Sequence, residues 1–217
     1  GFAIFIAFAT SVFIFLPIGK NLIGIILGGL ILVLVGLVDD RRDLPKIFKL
    51  LAQIFAAIVV VGFGVGIAFI TNPMASFGSG VDVIRLDNYK IFFEFFGPHT
   101  IIVLADLFAV FWIVWVINMV NFSAGVNGQM PGIVLIALFV LFVSTLRFAG
   151  GDPTQTVVAR LAIIGAGATL AFLIYNFPRA KIFPGDSGSY FLGFLVAVIS
   201  ILSGAKVGTA VLVMAVP

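Results

Sequence analysis

Cysteine is absent from the 217 residues, and His99 is the only histidine. Without thiols there is no disulfide framework, no thiolate nucleophile and no Cys-based zinc site. A lone imidazole excludes a His-cluster metal centre and leaves little room for a His-based triad. Charge is scarce too: Asp, Glu, Lys and Arg make up 10% of the chain against 62% hydrophobic residues, where a soluble domain carries about 25% charged residues. No aqueous globule has enough interior to hide that much apolar surface. The formal charge of +3 is small and its Lys and Arg are dispersed, so no nucleic-acid partner is expected and only weak attraction to anionic lipid remains. The chain begins at Gly1 inside an apolar run and stops at Pro217 inside another, which reads as an internal fragment.

What is there is a series of apolar stretches near 2–19, 21–38, 46–70, 100–119, 131–149, 157–176 and 188–205, with a partial one from 206. A spanning helix needs about 20 such residues. The stretches neither alternate nor stop after about 10 residues, which excludes a transmembrane barrel. The expected architecture is therefore an all-α integral membrane protein, a polytopic bundle of about 8 spans forming one domain over 1–217. Gly24 with Gly28, Gly62 with Gly66, and Gly204 with Gly208 have the spacing that lets membrane helices approach closely. In the longest polar interval, 71–99, short β-prone runs flank Asp87-Asn88 and predict a small extracytoplasmic β-hairpin near 80–96, structural and not catalytic.

Parity sorts the loops. Two spans separate the loop at 39–46 from that at 118–131, and two more separate the latter from 177–189, so all three share one face. Lys and Arg divide evenly between faces, but Arg41, Arg42, Lys46, Lys49, Arg179 and Lys181 cluster on this one. It is therefore assigned to the cytoplasm of a multi-pass plasma-membrane protein.

Each loop carries chemistry. In the first, Asp39, Asp40 and Asp43 repel one another unless a cation or proton intervenes, and Arg41, Arg42, Lys46 and Lys49 offer donors to phosphate. The second holds Asn118, Asn121 and Asn127, amides able to ligate a hard cation or read a base or sugar, with Gly125 and Gly128 permitting close backbone approach. The third, Phe183-Pro-Gly185-Asp186-Ser187, places a carboxylate at a helix start, a site suited to metal-bridged phosphate. Taken singly, each loop also reads as a polar turn, a helix cap or a local ion-pair cluster. Together they suit Mg2+-assisted phosphoryl transfer beside an apolar surface for a lipid chain.

Asp39-Asp40 followed by Leu44-Pro45-Lys46, the 118–128 segment, and the run from Ala180 to Ser189 resemble, in order and separation, the polyprenyl-phosphate N-acetylhexosamine-1-phosphate transferase family, of the glycosyltransferase family 4 type. The resemblance covers nearly the whole chain. It implies an enzyme that moves a HexNAc-1-phosphate, GlcNAc-1-phosphate foremost, from a UDP-sugar to a membrane polyprenyl phosphate, undecaprenyl or dolichyl. UMP is released, Mg2+ is required, and a lipid-linked glycan or cell-envelope polymer is begun. It further implies Asp186 as the leading Mg2+ ligand with Asn121 and Asn118, Asn127 on the uridine, and Asp39 and Asp40 on the acceptor phosphate. Lys49 falls on the diphosphate and Phe183 in the nucleotide pocket, with Asp43 and Lys46 alongside as substrate-binding groups. The segment Ala124-Gly-Val-Asn127-Gly departs from the bacterial Asp-Gly-x-Asp-Gly. It is similar to the eukaryotic dolichyl-phosphate branch and points away from the muramoyl-pentapeptide subfamily.

A transporter using Asp39, Asp106 and Asp186 and a catalytically silent paralogue are the competing readings. The partners expected are UDP-HexNAc, polyprenyl phosphate and bilayer lipid, with a homodimer as an open option.

Overall fold

The computed structural model describes residues 1–67, 69–71, 83–85, 90–94, 98–147 and 149–204. Among them are seven α-helices: α1 (Phe2–Phe15), α2 (Lys20–Arg42), α3 (Lys46–Gly62), α4 (Val103–Phe122), α5 (Gln129–Leu146), α6 (Pro153–Asn176) and α7 (Gly185–Leu202). A 3-10 turn, Ser123–Gly125, extends α4. Five helices, α2 and α4 to α7, are long and apolar enough to cross a membrane, so the chain is a polytopic helical membrane protein. The expected count of about 8 spans is revised. The 14 residues of α1 rise only about 21 Å, short of a hydrocarbon core about 30 Å thick. The 17-residue α3 begins at Lys46 and ends at Gly62, and the stretch from 206 lies outside the described residues.

The predicted hairpin is also revised. Strand β1 (Phe69–Thr71) pairs antiparallel with β2 (Val83–Arg85), and β3 (Lys90–Glu94) with β4 (Pro98–Ile102). The run before Asp87 and the run after it therefore take different partners, while Asp87 and Asn88 themselves lie outside the described residues. Those partners straddle the ends of the apolar stretches 46–70 and 100–119, where hydropathy alone reads span.

Helix ends follow local chemistry. The Asp152 carboxylate accepts the Thr154 N–H at 2.8 Å with Pro153 at the first helical position, which starts α6. At the bundle centre is α7, buried at every residue from Ser187 to Ile201 and packed against α2 and α4, with α1, α5 and α6 also touching it. The Phe191 ring meets Phe5 and Phe8 edge-on at centroid distances of 5.2 and 5.6 Å. Deep between α4 and α7, the Trp112 indole donates to Ser200 Oγ at 3.0 Å. Helix α3 lies outside this core against α2 and α4, and its Phe48, Leu51, Phe55 and Ile58 are exposed.

Candidate active site

The three loops converge at one end of the bundle, and close backbone approach makes this geometry. A Cβ on Gly36 of α2 would collide with the Ser187 backbone of α7, so only glycine there lets α2 reach the start of α7. Helix α2 does not stop at the polar residues as the sequence suggests. It continues through Arg42 and closes at Asp43, whose left-handed φ of 46° short Asx side chains tolerate.

Asp40 caps α7 from outside. Its Oδ1 accepts the Asp186 N–H at 2.7 Å and its Oδ2 accepts the Ser187 hydroxyl at 2.8 Å, satisfying first-turn donors that α7 has no cap of its own to bind. Gly185, at φ 64°, gives that carboxylate its room, because a Cβ there would strike both Asp40 oxygens. Asp186, read from sequence as a metal ligand or a cap, is thus free of capping duty.

Its carboxylate instead faces the site. Asn121 Nδ2 donates to Asp186 Oδ1 at 2.9 Å and to Ser189 Oγ at 2.7 Å. The Tyr190 hydroxyl, one helical turn on, donates to Asp186 Oδ2 at 3.2 Å. Lys49 stands between carboxylates from three directions: its Nζ lies 2.8 Å from Asp39 Oδ2, 3.5 Å from Asp43 Oδ1 and 3.5 Å from Asp186 Oδ2. Asp39 is almost wholly buried, with Oδ1 accepting the Leu44 N–H at 2.7 Å. Its Oδ2, although ion-paired, finds no aligned hydrogen-bond donor.

Three acidic groups share one ammonium, so the locus is net negative and holds an under-satisfied buried oxygen. Those two properties fit a hard divalent cation with oxygen ligands. Among the described residues no group of three or more Asp, Glu, His or Cys side chains is arranged to enclose a metal. Mg2+ is ordinarily held by one or two carboxylates with substrate phosphates completing its shell, a demand that Asp186, Asn121 and the neighbouring Asp39 are placed to meet.

The structure thus gathers Asp39, Lys49, Asn121 and Asp186 directly, with Asp40 one contact behind and Asp43 at the exposed rim. Asn118 does not join them: its Nδ2 donates to Gln53 Oε1 at 2.6 Å and to the Val114 carbonyl at 2.7 Å. Lys46, Asn127 and Phe183 are exposed on the flanking segments. Asp106 accepts the Ile102 N–H at 3.0 Å at the other end of α4, away from Asp39 and Asp186.

Sequence reasoning missed four partners. Ser189 and Tyr190 were hidden in an apolar run, where their i+3 and i+4 spacing from Asp186 is the available signal. Gln53, one turn after Lys49, is a lone amide inside an apolar helix. Asn176 accepts the Gly128 N–H at 2.7 Å and donates to the Ile182 carbonyl at 2.8 Å, clipping the second loop to the third.

A family model described as glycosyl transferase family 4 matches residues 22–204, which include every residue of this cluster. The chain belongs to glycosyl transferase family 4. Among family 4 relatives, it is 36% identical over 179 residues to a decaprenyl-phosphate N-acetylglucosaminephosphotransferase of Mycolicibacterium smegmatis, covering 81% of this chain and 39% of that protein. It is 30% identical over 178 residues to a probable undecaprenyl-phosphate N-acetylglucosaminyl 1-phosphate transferase of Bacillus subtilis, covering 82% and 43%. It is also 33% identical over 207 residues to a phospho-N-acetylmuramoyl-pentapeptide-transferase of Streptococcus equi, covering 93% and 57%. The chain therefore spans about half the length of these family 4 relatives or less. Overall identity does not separate the muramoyl relative from the others, so the expectation of distance from it rests on the 124–128 segment alone.

Proposed function

We propose that the protein containing this chain transfers HexNAc-1-phosphate, GlcNAc-1-phosphate foremost, from a UDP-sugar to a membrane polyprenyl phosphate, releasing UMP at the cytoplasmic face. The observation that carries this reading is the meeting of Asp39, Asp186, Asn121 and Lys49 at one end of helices that are otherwise apolar. A phosphate site there meets a lipid carrier without either leaving its own medium. The relatives' names, which specify decaprenyl or undecaprenyl phosphate and N-acetylglucosamine phosphate, support the same substrate classes.

In this reaction an oxygen of the acceptor phosphate forms a bond to the β-phosphorus of the UDP-sugar. The bond from that phosphorus to the bridging oxygen breaks, and UMP leaves with the electron pair. Mg2+, held through Asp186 and Asn121, would screen the diphosphate charge and stabilise the leaving phosphate. Lys49 supplies a compact positive charge to the phosphates, moving from the carboxylates with which it pairs. Asp39, whose Oδ2 pairs with Lys49, is assigned to the acceptor phosphate, either positioning it or taking its proton once Lys49 has moved to the phosphates. Asp40 acts through α7, because both its oxygens are engaged at the start of that helix. Asn127 and Phe183, exposed beside the cluster, are assigned to the uridine.

The test is UMP release by the full-length protein from UDP-GlcNAc and other UDP-HexNAc donors, with polyprenyl phosphate and Mg2+. Mg2+-dependent UMP is the expected result. No UMP from any of these donors overturns the reading.

A further inference from the structure

Helix α3 carries Lys49 into the site and lies against α2 and α4. Its buried residues are Gln53, Ala56, Ala57 and Val60, so three of the four present a short, smooth apolar face. Small residues let membrane helices approach closely, and on the α2 side they do: a Cβ on Gly28 would lie 3.1 Å from the Ala56 carbonyl oxygen. On the α4 side the short alanine and valine side chains offer no such notch, and a turn of α3 away from α4 would move the Lys49 ammonium out of reach of Asp39 and Asp186.

One group on that face is directional. Gln53 is 2% exposed, and its Oε1 accepts a hydrogen bond from Asn118 Nδ2 at 2.6 Å. The same Nδ2 also donates to the Val114 carbonyl at 2.7 Å, which holds the Asn118 amide against its own helix. Gln53 follows Lys49 by one turn of α3, and Asn118 precedes Asn121 by one turn of α4, so each end of the bridge lies on the same helical face as a member of the site. In an apolar surround a single polar bridge of this kind sets register more than it adds stability.

We infer that Gln53 is a positioning residue: its bond to Asn118 fixes the register of α3 on α4 and thereby aims Lys49 between Asp39 and Asp186. The inference rests on Lys49 belonging to the phosphate site proposed above. It assigns Asn118 to that bridge and not to metal ligation.

The full-length protein in lipid nanodiscs provides the test, by acylation of lysines with acetic anhydride and peptide mass analysis. Ion-paired Lys49 is slow to react in the wild type, and exposed Lys46 on the same helix is the internal reference. Gln53→Leu and Asn118→Leu are each expected to raise Lys49 labelling relative to Lys46 about 5-fold, with the double variant no higher, a size consistent with one lost interhelical amide bond. The exchanged pair, Gln53→Asn with Asn118→Gln, keeps an amide on each helix and is expected to restore slow labelling. Transferase kcat should fall about 10-fold in Gln53→Leu with the KM for UDP-sugar changed less than 2-fold, since a displaced Lys49 affects phosphate charge in the reaction more than nucleotide binding.

Unchanged Lys49 labelling in Gln53→Leu overturns the inference, as does labelling that stays high in the exchanged pair while its thermal unfolding matches wild type. If the wild type releases no UMP, the proposed function falls, whereas labelling still decides whether Gln53 aims Lys49.

Discussion

Helices α7 and α3 deliver opposite charges to one site from unlike surroundings. Asp186 stands at the start of a helix buried on all sides from Ser187 to Ile201, its first turn capped by Asp40 and its carboxylate held by Asn121 and Tyr190. Lys49 rides on a peripheral helix whose outer face is bare and whose inner face is mostly alanine and valine. The difference assigns separate duties: the core helix fixes the carboxylate as a reference point, and the outer helix brings a cation that can move between carboxylate and phosphate. A flexible four-carbon stem with a compact ammonium suits that task better than a planar guanidinium.

The sharpest way to break this contrast is at the fixed end. Asp186→Ala removes the carboxylate proposed to hold Mg2+ and leaves Lys49 paired with Asp39 and Asp43. UMP release is expected to fall at least about 1,000-fold, the upper end of what a single lost electrostatic group costs a charged transition state. Circular dichroism should remain that of the wild type, because the half-exposed side chain supports no packing. An activity loss below about 10-fold would remove Asp186 from the centre of the site.

A smaller effect is expected from disturbing the helix that carries it. A Cβ on Gly193 would lie 2.8 Å from Ile117 Cα, so any side chain there has to push α4 away from α7. Gly193→Val should destabilise by about 1–3 kcal/mol, the usual cost of overpacking a close core, seen as a lower thermal unfolding midpoint in detergent. Smaller again is Ser200→Ala, which leaves the buried Trp112 N–H without its acceptor. Hydrogen bonds between membrane helices average about 0.6 kcal/mol and reach about 1.7, and the same unfolding assay should place this variant within that range.

Much of this arrangement was legible in the sequence. Hydropathy located seven helices among the described residues, because long apolar runs have one common solution in lipid. The expected meeting of the three polar loops is seen in the Lys49, Asn121 and Asp186 contacts, although the count of crossings behind that expectation included α3, which is not among the five helices long and apolar enough to span. What stayed hidden depended on tertiary partners. Nothing in Asp39-Asp40 says that one carboxylate turns inward to Lys49 while its neighbour caps a helix 146 residues later. The strand pairings were obscured because Phe69-Ile70 and Ile101-Ile102 continue the apolar stretches beside them. Asn118 looked like a site residue by its spacing from Asn121, and only the position of Gln53 on the facing helix shows where it points.

The smallest expected effect lies on the outer face of α3, where Phe55 is 57% exposed. In water a bare phenyl ring would signal a covered interface or an aggregation risk, but against lipid tails it gains no hydrophobic driving force toward protein. Phe55→Ala therefore removes mainly exposed surface, so stability should change by no more than about 0.5 kcal/mol. The same truncation at Phe191, which touches Phe5 and Phe8 inside the bundle, should cost about 3–5 kcal/mol. Thermal unfolding of the pair in nanodiscs measures how far the two helices differ. A loss at Phe55 comparable to that at Phe191 would mean that α3 is covered in the assembled protein, and the picture of a peripheral helix aimed by one amide bridge would then give way to one held by its outer neighbour.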